Sequence, residues 1–594
     1  MKPDMLFEVS WEVCNKVGGI YRVIQSKIVQ MKIEYGNQYF LIGPYLPDKV
    51  KGEFAEEEPP EWIKESMSEL LKIGAVAHFG HWHTFGTPEV VLIDINNCLH
   101  LANEVKGFNW EHFQIDSLNT DFYDYDYPVL WANIAGRFIE SIKRNMQEKR
   151  IVAHFHEWLS GAGLLYLKAK KSEVGCVFTT HATVMGRALA GSQHDLNFFF
   201  KSGMNFDDKA REFNIHAKHQ TEKAAAQNSD VFTTVSEITG EEAKIILQRE
   251  PDVIVENGLD SNMFPTFEEA SVKHRLFREK MRNFLMTMFY PHYAVDLEKS
   301  LQFFVSGRYE FYSKGINVLI DALGKLNKKL KHSKIDKNIF VFFFIPAEYE
   351  SVNKEIIQRK SYFEDLEESL AENSNEIKQR LFYSLFSPKK LSIKQIIGND
   401  FYNKFERVKS IIKSNENPAC CTHIIKNKSD LILTSLRENN LNNAFDDKVK
   451  VIFYPTYLKG ADGLLDLDYF EAISACHLSI FPSMYEPWGY TPLESMSFGV
   501  PTITTDLAGF GRFIRQQKLE GEGVFVLNFE GKSYEERVAA LVEAMEKYSS
   551  MNSSERIAMK MKAKNASEKA DWSELIKKYF KAHQLAIERI EKNR

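Results

Sequence analysis

Along the first half of the chain, short runs that are apolar at nearly every position alternate with stretches whose apolar residues return every three or four places. MLFEVSW, QYFLIG, VVLIDI, RIVAHFH, GCVFTTH and DVFTTVS have the length and the β-branched and aromatic content of buried strands. Between the first two, a Gly18-Gly19 turn opens a stretch whose Ile20, Val23, Ile24, Ile28 and Met31 share one helical face. Strands alternating with helices predict a parallel sheet covered on both sides.

The rhythm starts again at FFVSGRY. A helix bearing Ile316, Leu319, Ile320, Leu323 and Leu330 follows, then NIFVFFFIP, KVKVIFYP, HLSIFPS and VPTITT, which predict a second open sheet. The expected fold class is therefore α/β, with two facing Rossmann-like doubly wound domains. The expected boundaries are 1–262 and 263–572, with residues 573–594 as a terminal helix that packs back toward the first domain. A charged helical segment, about 261–300, joins the two. Residues 348–416 interrupt the second sheet with a Glu- and Lys-rich helical stretch too polar for its core. That stretch is either an oligomerisation arm or a solvated hairpin. Ligands of such sheets bind outside the carboxyl ends of the strands, so two facing sheets put the site in the cleft between them.

Composition narrows the ligand. The 594 residues are 44% hydrophobic and carry a formal net charge of only -6, with both signs interspersed, so no basic surface points to nucleic acid or an anionic membrane. No apolar stretch has signal-peptide or membrane-spanning length, the longest running from Ile339 to Ile345, and the expected setting is cytoplasmic. Cys14, Cys98, Cys176, Cys420, Cys421 and Cys476 have neither ligand spacing nor the density of a disulfide framework.

Four motifs can carry chemistry. In KVGGIYRV, Gly18 and Gly19 open a helix whose free amides can meet a phosphate, or they are turn punctuation. In SGRYEFYSKG, Arg308 and Lys314 flank a loop at a strand end, as a diphosphate site requires, or are solvated cations; the spacing of a Walker loop is absent. In FPSMYEPWGYTPLESMSFGVPTITT, Thr491, Pro492 and Glu494 read as an N-cap, a first-turn proline and a capping-box glutamate. The amides of Gly489, Tyr490 and Thr491 form a second anion cradle, and Glu486 has no capping role to explain it. In AHFHEW and TTHATVMGR, His154 and His156 share a strand face, which allows a metal or a pair of satisfied core histidines, and the expectation is no metal. Glu157 and His181, at strand ends, suit sugar hydroxyls. Asp124-Tyr125-Asp126 has the form of a metal-binding DxD, a pattern short enough to arise by chance.

Taken in order, these motifs resemble those of the glycogen synthases of the animal and fungal type, glycosyltransferase family 3, from Phe7 to Asp571-Trp572. The resemblance implies a GT-B fold, a UDP-glucose donor, no cofactor and no metal, and retaining transfer of glucose to the 4-hydroxyl of an α-1,4-glucan such as glycogen. It implies that Arg308 and Lys314 bind the diphosphate, aided by Gly18, Gly19 and the 489–491 amides. Glu486 and Glu494 match the two glutamates of the family's E-x7-E motif, the first beside the transferred glucose and the second at the ribose. His181, Glu157, Asn257 and Arg187 fall on the glucose and acceptor side, Arg187 also reaching the donor, and Tyr457 and Tyr469 fall where aromatics stack on uracil. With no certain second carboxylate for a covalent intermediate, a front-face transfer is expected. The resemblance also moves the 348–416 stretch toward subunit contact, with a tetramer expected, and closure of the domains on the donor.

Two departures stand out. The family's regulatory helix is arginine-rich and senses glucose 6-phosphate, whereas NSSERIAMKMKAKNASEKADW has Arg556 and three lysines in its first fourteen residues, and no long tail follows. An enzyme without glucose 6-phosphate control is expected. The alternatives are another retaining GT-B transferase, using ADP-glucose or forming a disaccharide, and, from a different class, a non-catalytic glucan-binding scaffold.

Overall fold

The computed structural model describes residues 1–191, 196–333, 335–388 and 390–593. The N-terminal sheet contains β1 (Met5–Val9), β2 (Tyr39–Pro44), β3 (Phe54–Glu56), β4 (Val76–Trp82), β5 (Glu89–Asp94), β6 (Ile151–His156), β7 (Gly175–Thr180), β8 (Val231–Thr234) and β9 (Val253–Ile254). Their order is β3-β4-β5-β2-β1-β6-β7-β8-β9, parallel except where β4 meets β3 and β5. The second sheet contains β10 (Leu301–Ser306) and β11 (Ile339–Phe344), then, beyond a side pair of β12 (Tyr349–Val352) and β13 (His423–Ile425), β14 (Val449–Tyr454), β15 (Leu478–Ile480), β16 (Thr502–Thr505) and β17 (Val524–Leu527). It is parallel, in the order β14-β11-β10-β15-β16-β17.

The second sheet shows why the apolar runs are continuous. β10 and β11 are buried along their whole length, as strands covered on both faces must be. On one face the helix Ile316–Lys331 buries Leu319, Ile320, Leu323 and Leu326 and turns its lysines outward. On the other, the helix Phe267–Phe289 sets Met281, Phe284, Leu285 and Met288 against Phe304, Phe340 and Phe342. Each such side chain, fully buried, contributes roughly 1.5–3 kcal/mol.

The chain crosses between domains twice. The first crossing follows β9, where Thr266 and Glu269 form a capping box that starts the helix Phe267–Phe289. At the second, Asp571 bridges Leu259, and the helix Trp572–Asn593 lies back on the N-terminal domain against β6, β7, β8, β9 and the helix Gly19–Tyr35. The indole N–H of Trp572 donates to Ser26 at 2.8 Å.

Within residues 348–416, the helix Lys354–Glu372 follows β12 and packs on the helix Phe267–Phe289, burying Ile356 in the core of the second sheet, while Ser374–Phe386 and Asn399–Ile412 bury only Ser384 and Val408. Phe382, Tyr383, Leu385 and Phe386 are exposed there, Phe386 at 87%. Among the described residues, no helix is long and apolar enough to cross a membrane.

Candidate active site

The carboxyl ends of β10 and β15 are neighbours in the second sheet, so the loops that follow them meet. The amides of Met484 and Tyr485 donate to the carbonyl of Ser313 at 2.8 and 3.2 Å. Gly315, at φ 65°, lies so close to the Pro482 carbonyl that a Cβ there would sit 1.9 Å from its oxygen. This lacing brings the Lys314 ammonium onto the Glu486 carboxylate. Arg308, on the same loop, is 67% exposed on its side chain and pairs with Glu310 at 2.8 Å.

The facing wall comes from β1, β6 and β7, adjacent strands whose inward positions align. Glu157, just past β6, has φ 64°, a region unfavourable for any residue with a Cβ. Its Oε1 accepts from the amides of His181 and Ala182, at 3.1 and 3.3 Å, and from Arg187 at 3.2 Å. Burial raises its carboxyl above the usual range, with Arg187 opposing. Tyr485 reaches across from the second domain, and its hydroxyl donates to Glu242 at 3.0 Å. Glu242 also accepts from the Thr183 amide at 2.9 Å, and burial pushes its carboxyl up to about 7. The two walls enclose a cavity of about 490 Å³ lined by Ala182 and Arg187 from one side and Arg308, Lys314, Tyr485 and Glu486 from the other.

Known proteins place this arrangement. The family model described as Glycogen synthase matches residues 8–594. Liver glycogen [starch] synthase of Homo sapiens is 33% identical over 591 residues, 98% of this chain and 84% of that protein. Glycogen [starch] synthase of Dictyostelium discoideum is 35% identical over 98% of this chain and 67% of its own length. Isoform 2 of Saccharomyces cerevisiae is 33% identical over 99% and 87%. The chain belongs to the glycogen synthase family. Its fold is GT-B: the catalytic domain of starch synthase IV from Arabidopsis thaliana, solved with ADP and acarbose, superposes with a TM-score of 0.52 at 13% identity, covering 99% of this chain and 100% of that one.

In this glycogen synthase family member the structure corrects one local reading. The helix after Glu486 runs Tyr490–Ser497 with Gly489, φ 114°, as its N-cap, so Thr491 is not the cap and Glu494 closes no capping box. The positive φ that glycine tolerates lets the helix begin earlier. Glu494 turns to Tyr469, whose hydroxyl donates at 3.4 Å, and burial raises its carboxyl against the pull of Arg22. The amides of Gly489, Tyr490 and Thr491 have no acceptor among the described residues. At Gly18 the picture differs, because the Gly18 and Tyr21 amides already donate to Glu12, each at 2.8 Å.

Tyr469 also contacts Ser306, at 3.2 Å, while Tyr457 is 67% exposed and shares no ring contact with it among the described residues. Asn257 is buried just after β9 with its Oδ1 unpaired, away from the main cavity wall. Sequence reading missed Arg22, Tyr485 and Glu242. Arg22 was within reach of it, one turn after Gly18 on the same helical face, and it lies 5.8 Å from the Phe470 ring of the other domain.

The strand histidines do come together, with ligand atoms of Glu8, His154 and His156 within 4.8 Å of one another. Those atoms are committed elsewhere. The Lys27 ammonium sits on Glu8, His154 contacts Thr179 at 2.6 Å and His583 at 3.1 Å, and His156 contacts Glu8 and His181. A divalent ion would have to displace a buried ammonium, so the donor set does not fit a metal. In the DxD stretch, Asp124 pairs with Lys218 and Asp126 with Lys106.

Proposed function

We propose that this chain is a retaining glucosyltransferase that moves glucose from UDP-glucose to the non-reducing 4-hydroxyl of an α-1,4-glucan, without metal. The observation that carries the reading is the pairing of Lys314 with Glu486 beside Arg308, in a cavity walled by both sheets. As the bond from glucose C1 to phosphate oxygen breaks, negative charge grows on the diphosphate. Arg308, Lys314 and the free 489–491 amides meet that charge with groups already in place. Glu486 stands where positive charge develops on the sugar. The acceptor oxygen then bonds to C1 from the same face, and its proton passes to the departing phosphate oxygen.

A double-displacement route needs a carboxylate free to attack from the other face. Glu157 and Glu242 are tied up by amides, Arg187, Thr183 and Tyr485, which favours the front-face route. We also assign the exposed apolar end of the helix Ser374–Phe386 to subunit contact in a tetramer, and the enzyme to the cytoplasm.

The test is transfer of labelled glucose to glycogen from UDP-glucose and ADP-glucose side by side, with and without glucose 6-phosphate. Label entering polymer from UDP-glucose supports the reading. Preference for ADP-glucose corrects the donor, and no label from either donor refutes the transfer itself.

A further inference from the structure

Behind the N-terminal wall runs a chain of hydrogen bonds, all but its last member wholly enclosed. Glu8 of β1, fully buried, takes the Lys27 ammonium on Oε1 and the Tyr39 hydroxyl, at 2.5 Å, on Oε2. His156 Nε2 lies 2.6 Å from Glu8 Oε1, and His156 Nδ1 lies 2.9 Å from His181 Nε2. The cation beside Glu8 and the protons donated to it hold its carboxyl well below the usual range despite burial. Burial holds both histidines below theirs, so both rings are neutral.

The proton positions follow step by step. An ionised carboxylate only accepts, so the proton of His156 must be on Nε2, facing Glu8. Its Nδ1 is then bare, and the contact to His181 requires the proton of His181 on Nε2. That leaves His181 Nδ1 bare as well. It has no partner among the described residues, at the carboxyl end of β7, beside the cavity-lining Ala182.

We propose that Glu8, acting through His156, is a positioning residue that fixes the tautomer of His181, so that Nδ1 accepts a hydrogen bond from a hydroxyl of the transferred sugar. The sugar half of this inference rests on the glucosyl transfer proposed above. The tautomer half stands on the network alone. A histidine free to choose its tautomer would present an acceptor only part of the time, and the ion pair two bonds away removes that choice.

Two measurements test it. In full-length wild-type protein with ¹⁵N-labelled histidine, the signals lost in His181→Asn are expected to show a protonated Nε2 and a bare Nδ1; the reverse tautomer overturns the proposal. The second uses UDP-glucose analogues in which one sugar hydroxyl at a time is replaced by fluorine, which accepts but cannot donate. At the hydroxyl that meets His181, the wild type should lose about 10–100-fold in kcat/KM. In Glu8→Gln, made alone and with Lys27→Met to keep the core neutral, the amide can donate to His156 and reverse both rings. His181 then donates, and the loss should shrink to less than about threefold, while Glu8→Asp keeps the wild-type pattern. Equal discrimination by wild type and Glu8→Gln overturns the proposal. If neither Glu8 variant folds, the wild-type histidine spectrum decides alone. Wild type that transfers no glucose refutes the transfer reading, and the spectrum still reads the tautomer.

Discussion

The two walls of the cleft are built on opposite plans. The N-terminal wall is a buried lattice in which nearly every polar atom is taken: Glu8 and His156 are at most 1% exposed, and Glu157 and Glu242 are bound to backbone amides. The C-terminal wall carries its charges on loops, with Lys314 and Glu486 partly open and Arg308 mostly so. A wall that must recognise neutral hydroxyls gains from fixed donors and acceptors, because an unpaired polar group discriminates only if it cannot relax. On the proposed reaction, a wall that must meet a charge appearing during transfer can use exposed cations, which an arriving diphosphate would desolvate.

The largest expected effect lies on the open wall. Lys314→Met and Arg308→Ala should each lower kcat by about 10²–10³-fold while unfolding stays cooperative and Tm near that of wild type. A fall in Tm that matches the loss of activity breaks the contrast, because the cations would then be structural. The next effect lies where the walls touch. Tyr485→Phe removes the hydroxyl that donates to Glu242 and should lower kcat/KM about tenfold, read by steady-state kinetics at neutral pH.

The smallest effect is one of pH. A carboxyl whose folded value is raised, as Glu242's is to about 7, binds its proton more tightly in the folded protein. Its contribution to stability is greatest below the unfolded value and is lost as pH rises through about 7. Glutamine mimics the protonated form. Melting curves should therefore show Glu242→Gln destabilised less, relative to wild type, at pH 8 than at pH 6, by roughly 1–2 °C. An unchanged difference means that Glu242 is already charged when folded.

The sheets were legible because burial on both faces writes continuous apolar runs, as in IFVFFF of β11. The β3 edge was not, since its Phe54 and Ala55 are only half buried and its pattern is weak. Glu486, Arg308 and Lys314 could be placed in loops after strands from the sequence, and the fold brings those two loops together. Glu242 and Tyr485 could not, since 243 positions separate partners that only the fold joins. The expected absence of phosphate control rests on counting cations along one helix, and in the fold that helix lies near cations of another. Lys560 of that helix is brought down to about 7 by burial and by Arg278, and Arg278 to about 10 by burial and by Arg282. The helix Phe267–Phe289 thus adds cations that the local sequence does not show.

The helix Trp572–Asn593 also bears on how the protein is made. Its His583 stands between Tyr35 and His154 inside the N-terminal domain. During synthesis, which runs from the N-terminus, β1 to β9 emerge long before that histidine does, and early domains ordinarily fold first. Here the first domain must wait with its histidine row uncapped until the second has been made. The domain translated first is therefore the one finished last, and a ribosome that stalls within the second domain leaves the first without its seal.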